Sequence, residues 1–184
     1  MTLKKLLTLP IIVLLSVIIA SVYGILHDQL TYCISPEYYT KFKFPMFGLV
    51  SDPKETLQNP RLAVALTGII ATWWVGLIIG IAFGIIALVL KDDRQMFRSA
   101  LKALLRTIVI AIGAGLTGLG YGWMTRTIQD AESYNKYASG TIEDIRSFYI
   151  VGCIHNFSYL GGGIGLAIGI ITIYRHKKTR NIQA

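Results

Sequence analysis

The sequence predicts an all-α protein, a four-helix transmembrane bundle with both termini cytoplasmic and one long aromatic-rich outer loop, and three observations predict it. The 184 residues are 53% hydrophobic and only 15% charged, with a mean hydropathy of +0.55, too apolar for a soluble globule. Four stretches, 6–26, 62–90, 107–124 and 148–174, are almost free of ionisable side chains. Each reaches or approaches the roughly 20 residues that a helix needs to cross about 30 Å of hydrocarbon, and an open sheet would strand unpaired backbone groups in lipid. Lysine and arginine are also segregated: 11 of the 18 lie before span one, between spans two and three, or after span four. By the positive-inside rule these three segments face the cytoplasm, and the net charge of +8 is a topology signal rather than a nucleic-acid footprint.

Residues 1–184 read as a single integral domain. Span one (6–26) follows Lys4 and Lys5. Met1 to Gly24 also has the basic start and apolar middle of a secretory signal, but the apolar stretch exceeds the usual length. Ile18 and Ile19 stand where a cleavage site wants small residues, so an uncleaved span is expected. An outer loop, 27–61, is punctuated by Pro36, Pro45, Pro53 and Pro60. Its aromatic residues Tyr32, Tyr38, Tyr39, Phe42, Phe44 and Phe47, interleaved with Lys41 and Lys43, suit a strand or hairpin at headgroup level. That pattern serves either as an anchoring belt or as a surface for a substrate or partner. Single-stranded nucleic acid would also suit it, but an outward loop rarely meets any, so no nucleic-acid partner is expected.

Span two (62–90) carries Gly76, Gly80 and Gly84, with Trp73 and Trp74 near its middle as core residues or, alternatively, as cavity lining. Between spans two and three, 91–106 places Arg94, Arg98, Lys102 and Arg106 opposite Met96, Phe97, Ala100, Leu101, Leu104 and Leu105. This amphipathic pattern predicts a helix resting on anionic lipid at the cytoplasmic face, or a docking face for a partner. Span three (107–124) carries Ala114, Gly118 and Gly122, and span four (148–174) carries Gly161, Gly165 and Gly169. Such smooth stripes let backbones approach closely, so spans two, three and four are expected to pack tightly together. The second outer loop, 125–147, ends in Thr141, Glu143 and Asp144, a helix cap for span four. Spans two and four share a glycine triplet, an Ile-Ile pair and a basic end, and spans one and three both end near Tyr-Gly, which points to two helical hairpins.

Candidate chemistry gathers on the outer side. His27, Asp28, Gln29 and Tyr32 follow span one, Glu37 lies in the loop, and His155, Asn156 and Tyr159 fall one or two turns into span four. Ionisable groups at the edge of a span are costly unless partnered, which makes them candidates for a site. His27 and His155, placed at one depth, offer two imidazoles for a b-type haem. With Asp28, Glu37 or Cys153 they offer ligands for a metal such as zinc, or acid and base groups at a lipid or quinone headgroup. No short-spaced metal motif supports one of these over another. Cys33 and Cys153 share the outer side and are expected to be free thiols, a disulfide being the alternative. Asn156-Phe157-Ser158 spells a glycosylation acceptor but lies inside span four.

The run Tyr23-Gly24, His27-Asp28-Gln29, Thr31-Tyr32, Ile34-Ser35-Pro36-Glu37-Tyr38 and Thr40-Lys41-Phe42-Lys43-Phe44 resembles a signature found after the first span in bacterial multi-pass membrane proteins of unassigned function. It covers about a fifth of the chain, and the resemblance implies a site at the outer loop without implying an activity. The expectation is a small protein of the plasma (inner) membrane with an outward-facing ligand- or partner-binding site, accessory to other membrane subunits. The alternative is a membrane enzyme or redox subunit using His27 and His155. A transporter is disfavoured, because only His155 puts an ionisable group well inside a span.

Overall fold

A computed structural model describes residues 2–50, 57–125 and 138–181. Its long helices are α1 (Leu3–Ile34), α4 (Pro60–Ala87), α5 (Asp93–Met124) and α6 (Ile145–Asn181), with two short ones, α2 (Pro36–Tyr38) and α3 (Phe44–Met46), joined by a π-helical turn at Tyr39–Lys43. All four long helices are long and apolar enough to cross a membrane. The chain is therefore built as a multi-pass membrane protein.

Local chemistry sets the helix starts. Proline occupies the first turn of α2 and of α4, where its missing N–H is no loss. Ser35 Oγ accepts from the Tyr38 amide, Asn59 Oδ1 from Leu62, Asp92 Oδ1 from Gln95 and Asp144 Oδ1 from Ser147. Thus Asp144, within the predicted Thr141–Asp144 cap, is the residue that starts the last helix. At the opposite end of the bundle, Lys5 Nζ donates to the carbonyls of Leu88 and Leu90, satisfying acceptors left open where α4 ends.

Three expectations are corrected. Helix α1 does not stop near residue 26 but continues to Ile34, because no glycine or proline interrupts the chain between Gly24 and Pro36. Residues 36–46 are helical rather than a strand or hairpin, and they fold back against α1 and α6. The 91–106 segment is not a separate surface helix. From Asp93 it is the first half of α5, and its apolar side, Met96, Ala100, Ala103 and Leu104, is buried with Ile12, Phe83, Ala87 and Ile173. An apolar helical face finds a better partner in other helices than in headgroups when those helices lie within reach.

The glycine stripes also pair differently from the expected grouping of spans two, three and four. Gly76 and Gly80 lie against Ser16, Val17, Ala20 and Val13 of α1, while Gly118, Gly161 and Gly165 of the other pair bring α5 against α6 at Phe157, Ala111, Ala114 and Thr107; Gly169 of α6 meets Phe83 of α4, as expected of spans two and four. Among the described residues α1 packs mainly on α4 and α5 mainly on α6, and contact between the two hairpins is sparse. Where they do meet, two clusters hold them. Ile12, Ile79, Phe83, Met96, Leu104 and Ile173 form the one toward the chain termini. Tyr38, Tyr39, Phe44, Val64, Phe148 and Val151 form the other, at the loop end.

Trp73 and Trp74 are not core residues, each being 46% exposed on α4, but Trp74 lines the space between the hairpins, the alternative the sequence offered. An indole facing lipid satisfies the apolar requirement there without interior packing.

Candidate functional site

Between the two clusters the hairpins leave a cavity of about 370 Å³ that is open on one side, where the exposed Trp74 and Ile78 line it. It reaches from Ile79 and Leu104 of the first cluster to a charged end at His27, Asp28, Lys43 and His155, and its wall between these is almost wholly apolar. Gly162 of α6 lines it, and a Cβ built there would meet no atom within 4 Å. This glycine is not a packing glycine; its lack of a side chain leaves the space open.

Asp28 organises the charged end. On α1, Ile12, Ser16, Gly24, Asp28 and Thr31 are the buried residues, a single face turned to the interior. The carboxylate is therefore carried inward by the same periodicity that buries Gly24. Its Oδ1 lies 3.1 Å from His155 Nε2 and 3.3 Å from His27 Nδ1, and its Oδ2 accepts from Lys43 Nζ at 3.4 Å. The Asp28, Lys43 and His155 side chains are 4%, 5% and 6% exposed. A carboxylate so enclosed requires compensation, and the Lys43 ammonium supplies it at Oδ2 while the two imidazoles close on Oδ1.

Each partner is held in turn. His155 Nδ1 donates to the Val151 carbonyl at 2.8 Å, and the Tyr38 ring stacks on the imidazole with centroids 5.1 Å apart. His27 Nε2 pairs with Ser158 Oγ at 3.2 Å. Lys43 reaches Asp28 because the turn 39–43 is anchored by Tyr39, whose hydroxyl shares a 2.6 Å hydrogen bond with Thr31 Oγ1. Burial pushes the Lys43 ammonium below its ordinary range, and Asp28 pulls it back up only in part. Burial and the Asp28 charge together push the Tyr39 phenol upward, so it remains a neutral donor. The Tyr23 hydroxyl, on the cavity wall, is buried with no hydrogen-bond partner.

The predicted site residues divide into four places. His27, Asp28, His155 and Tyr159 line the cavity, Tyr159 donating its hydroxyl to the Ala71 carbonyl across the hairpins at 3.2 Å. Gln29 and Tyr32 instead clasp the start of α4: Gln29 Nε2 donates to the Arg61 carbonyl at 2.8 Å, and the Arg61 guanidinium sits 4.8 Å over the Tyr32 ring. Asn156 is exposed and outside the lining. Cys33 and Cys153 are not disulfide-bonded.

Glu37 is a latch apart from the histidines. It pairs with Lys41, and its carboxylate accepts from the Asp144 amide at 2.7 Å and from the Glu143 amide at 3.1 Å, at the start of α6. Burial raises its pKa, but Lys41 and the two amides outweigh that and hold it below the usual glutamate range. A depressed folded value means stabilisation that is complete above the ordinary range and lost as pH falls through the folded one. Glu37→Gln should therefore cost about 1 kcal/mol at pH 7, and the difference from wild type should shrink once the pH is taken below the usual glutamate range and through the folded value. Unfolding curves at both pH values in detergent check this; an equal deficit at both would show that charge plays no part in the latch.

Three residues of the site lie outside the sequence expectation, Tyr23, Lys43 and Ser158. Lys43 had been grouped with a headgroup belt, and only the fold-back of 36–46 brings it to Asp28. Ser158 was legible: it stands three residues after His155, on the same helical face.

The two histidine rings meet edge to face with centroids 4.7 Å apart. A haem iron held between axial imidazoles needs a porphyrin plane between coaxial rings, so this pair does not fit a bis-histidine haem. Comparison with protein-family models, with curated proteins and with solved structures found no match to this chain.

Proposed function

We propose that this protein is a membrane ligand-binding protein whose inter-hairpin cavity takes an amphiphile: an apolar tail along the α4–α6 wall and a hydrogen-bond-accepting head at the charged end. The observation that carries the reading is the cavity itself, about 370 Å³ of apolar space closing on Lys43, His27 and an unpartnered Tyr23 hydroxyl. Ligand sites combine largely apolar walls with a few convergent polar groups, and this volume is near the lower end of their range. A carbonyl or carboxylate head would accept from Tyr23, beside the Asp28–Lys43 pair.

The distribution of lysine and arginine supports an orientation with both termini in the cytoplasm of a plasma (inner) membrane, which turns the charged end of the cavity outward. The basic face of α5 then meets anionic lipid at the cytoplasmic side. Broad exposed apolar surfaces that include Trp73 suit an accessory subunit that seats against other membrane proteins.

The test uses Gly162→Leu, which places a side chain in open space. Purified protein is titrated calorimetrically with decylubiquinone and with decanoic acid, the two head chemistries on one tail length. Saturable binding of either by the wild type, weakened at least tenfold in Gly162→Leu with unfolding unchanged, is the expected result. Equal binding by both proteins, or none by the wild type, overturns the proposal.

A further inference from the structure

The hydrogen bonds around Asp28 leave a charge unaccounted for. The Val151 carbonyl can only accept, so His155 carries its proton on Nδ1. A neutral imidazole then turns a bare lone pair at Nε2 toward Asp28 Oδ1, 3.1 Å away, while Lys43 at Oδ2 marks Asp28 as a carboxylate. Two acceptors face each other. The contact is complete only with a cation between or beside them, either a second proton on His155 or a metal ion.

The surrounding geometry favours the metal, and we propose that His27 Nδ1, Asp28 Oδ1 and His155 Nε2 form a site for a divalent transition metal of the zinc class. The three atoms, drawn from two helices, lie within 4.8 Å of one another. Two ligands bound tetrahedrally at 2.0–2.1 Å stand about 3.3 Å apart. Oδ1 is already 3.3 Å from His27 Nδ1 and 3.1 Å from His155 Nε2, so closure needs only the two imidazoles to draw together. Both imidazole ligands are also held from behind, as metal ligands are: His155 by Val151 and His27 by Ser158. All three ligand residues line the cavity, which leaves the fourth position open to a water or to a ligand's donor atom. An open fourth position is the mark of a zinc site that acts rather than merely holds the fold.

Lys43 sets the sign of a diagnostic effect. Its ammonium competes for the charge of Asp28, so removing it must strengthen metal binding, whereas a purely structural cluster would only be damaged.

The experiment uses zinc alone, independently of any amphiphile, with chelator-stripped full-length protein in detergent. Metal content after desalting and calorimetric titration should give one zinc per chain. His27→Gln and His155→Gln should each weaken it by a hundredfold or more, His176→Gln should leave it unchanged as a surface control, and Lys43→Met should tighten it roughly tenfold. His27 is the more accessible ligand, so the folded state of His27→Gln, verified by its unfolding midpoint, keeps the test decisive if His155→Gln fails to fold. Absence of stoichiometric binding by the folded wild type, or binding indifferent to His27→Gln, overturns the metal and assigns the missing charge to a proton.

Discussion

Asp28→Leu is expected to destabilise the protein by about 3–5 kcal/mol, because it leaves the Lys43 ammonium buried without its carboxylate. The side chains of both are almost wholly enclosed, so water cannot replace the lost partner. Removing the ammonium as well changes the sign of the second step: in the Asp28→Leu background, Lys43→Met should recover most of the loss, since two apolar side chains in a largely apolar wall cost little. Reversible unfolding of the four proteins in mixed micelles gives the coupling directly. Additive losses would mean that the 3.4 Å contact carries no energy and that Lys43 is held by its neighbours alone. The sign of the recovery matters for function, because a charge pair that apolar residues can replace at little cost in stability is not explained by stability.

That cluster depends on two elements meeting. Helix α1 delivers Asp28 by simple periodicity, but Lys43 arrives only through the fold-back from Pro36 to Met46, pinned by Tyr39 to Thr31 and by Glu37 to the start of α6. The latch and the site are therefore one construction. A ligand that drew Lys43 away from Asp28 would have to work against the Glu37 and Tyr39 anchors.

Four apolar segments were legible because lipid admits few alternatives to a helix of about 20 residues. Their ends were not. Ionisable residues suggest where each span stops, which ends span one at Leu26 and puts Asp28 in a loop, although the spacing Ile12, Ser16, Gly24, Asp28 continues one face. The same rule set residues 91–106 apart from the helix to which 93–106 belong. His27 and His155 could be set at the same depth by counting, and the structure brings their rings together. Which helix each glycine stripe would face could not be read, since a smooth stripe records that something packs closely but not what.

The closest such approach falls at glycines that no stripe included. A Cβ on Gly24 would lie 2.3 Å from the Gly68 carbonyl oxygen, and one on Gly68 would lie 2.5 Å from the Gly24 carbonyl carbon and oxygen. The obstacles are backbone atoms, which cannot rotate away as a flexible side chain can, so even one methyl must push α1 from α4. Gly24→Ala and Gly68→Ala should each cost about 3 kcal/mol, the upper part of the range for overpacking, despite the helix propensity that alanine adds. Gly113→Ala and Gly120→Ala supply the contrast, for a Cβ at either meets nothing within 4 Å. These should stay within about 1 kcal/mol of wild type, on the stabilising side. Unfolding of the four variants in mixed micelles separates crossing from propensity; wild-type stability in Gly24→Ala would show that the helices part without penalty. Asp28 stands one turn beyond Gly24 on the same face, so separating the helices there also moves the carboxylate from His155. A loss of zinc affinity in Gly24→Ala, absent in Gly113→Ala, would trace the site's geometry to a helix crossing that contains none of its ligands.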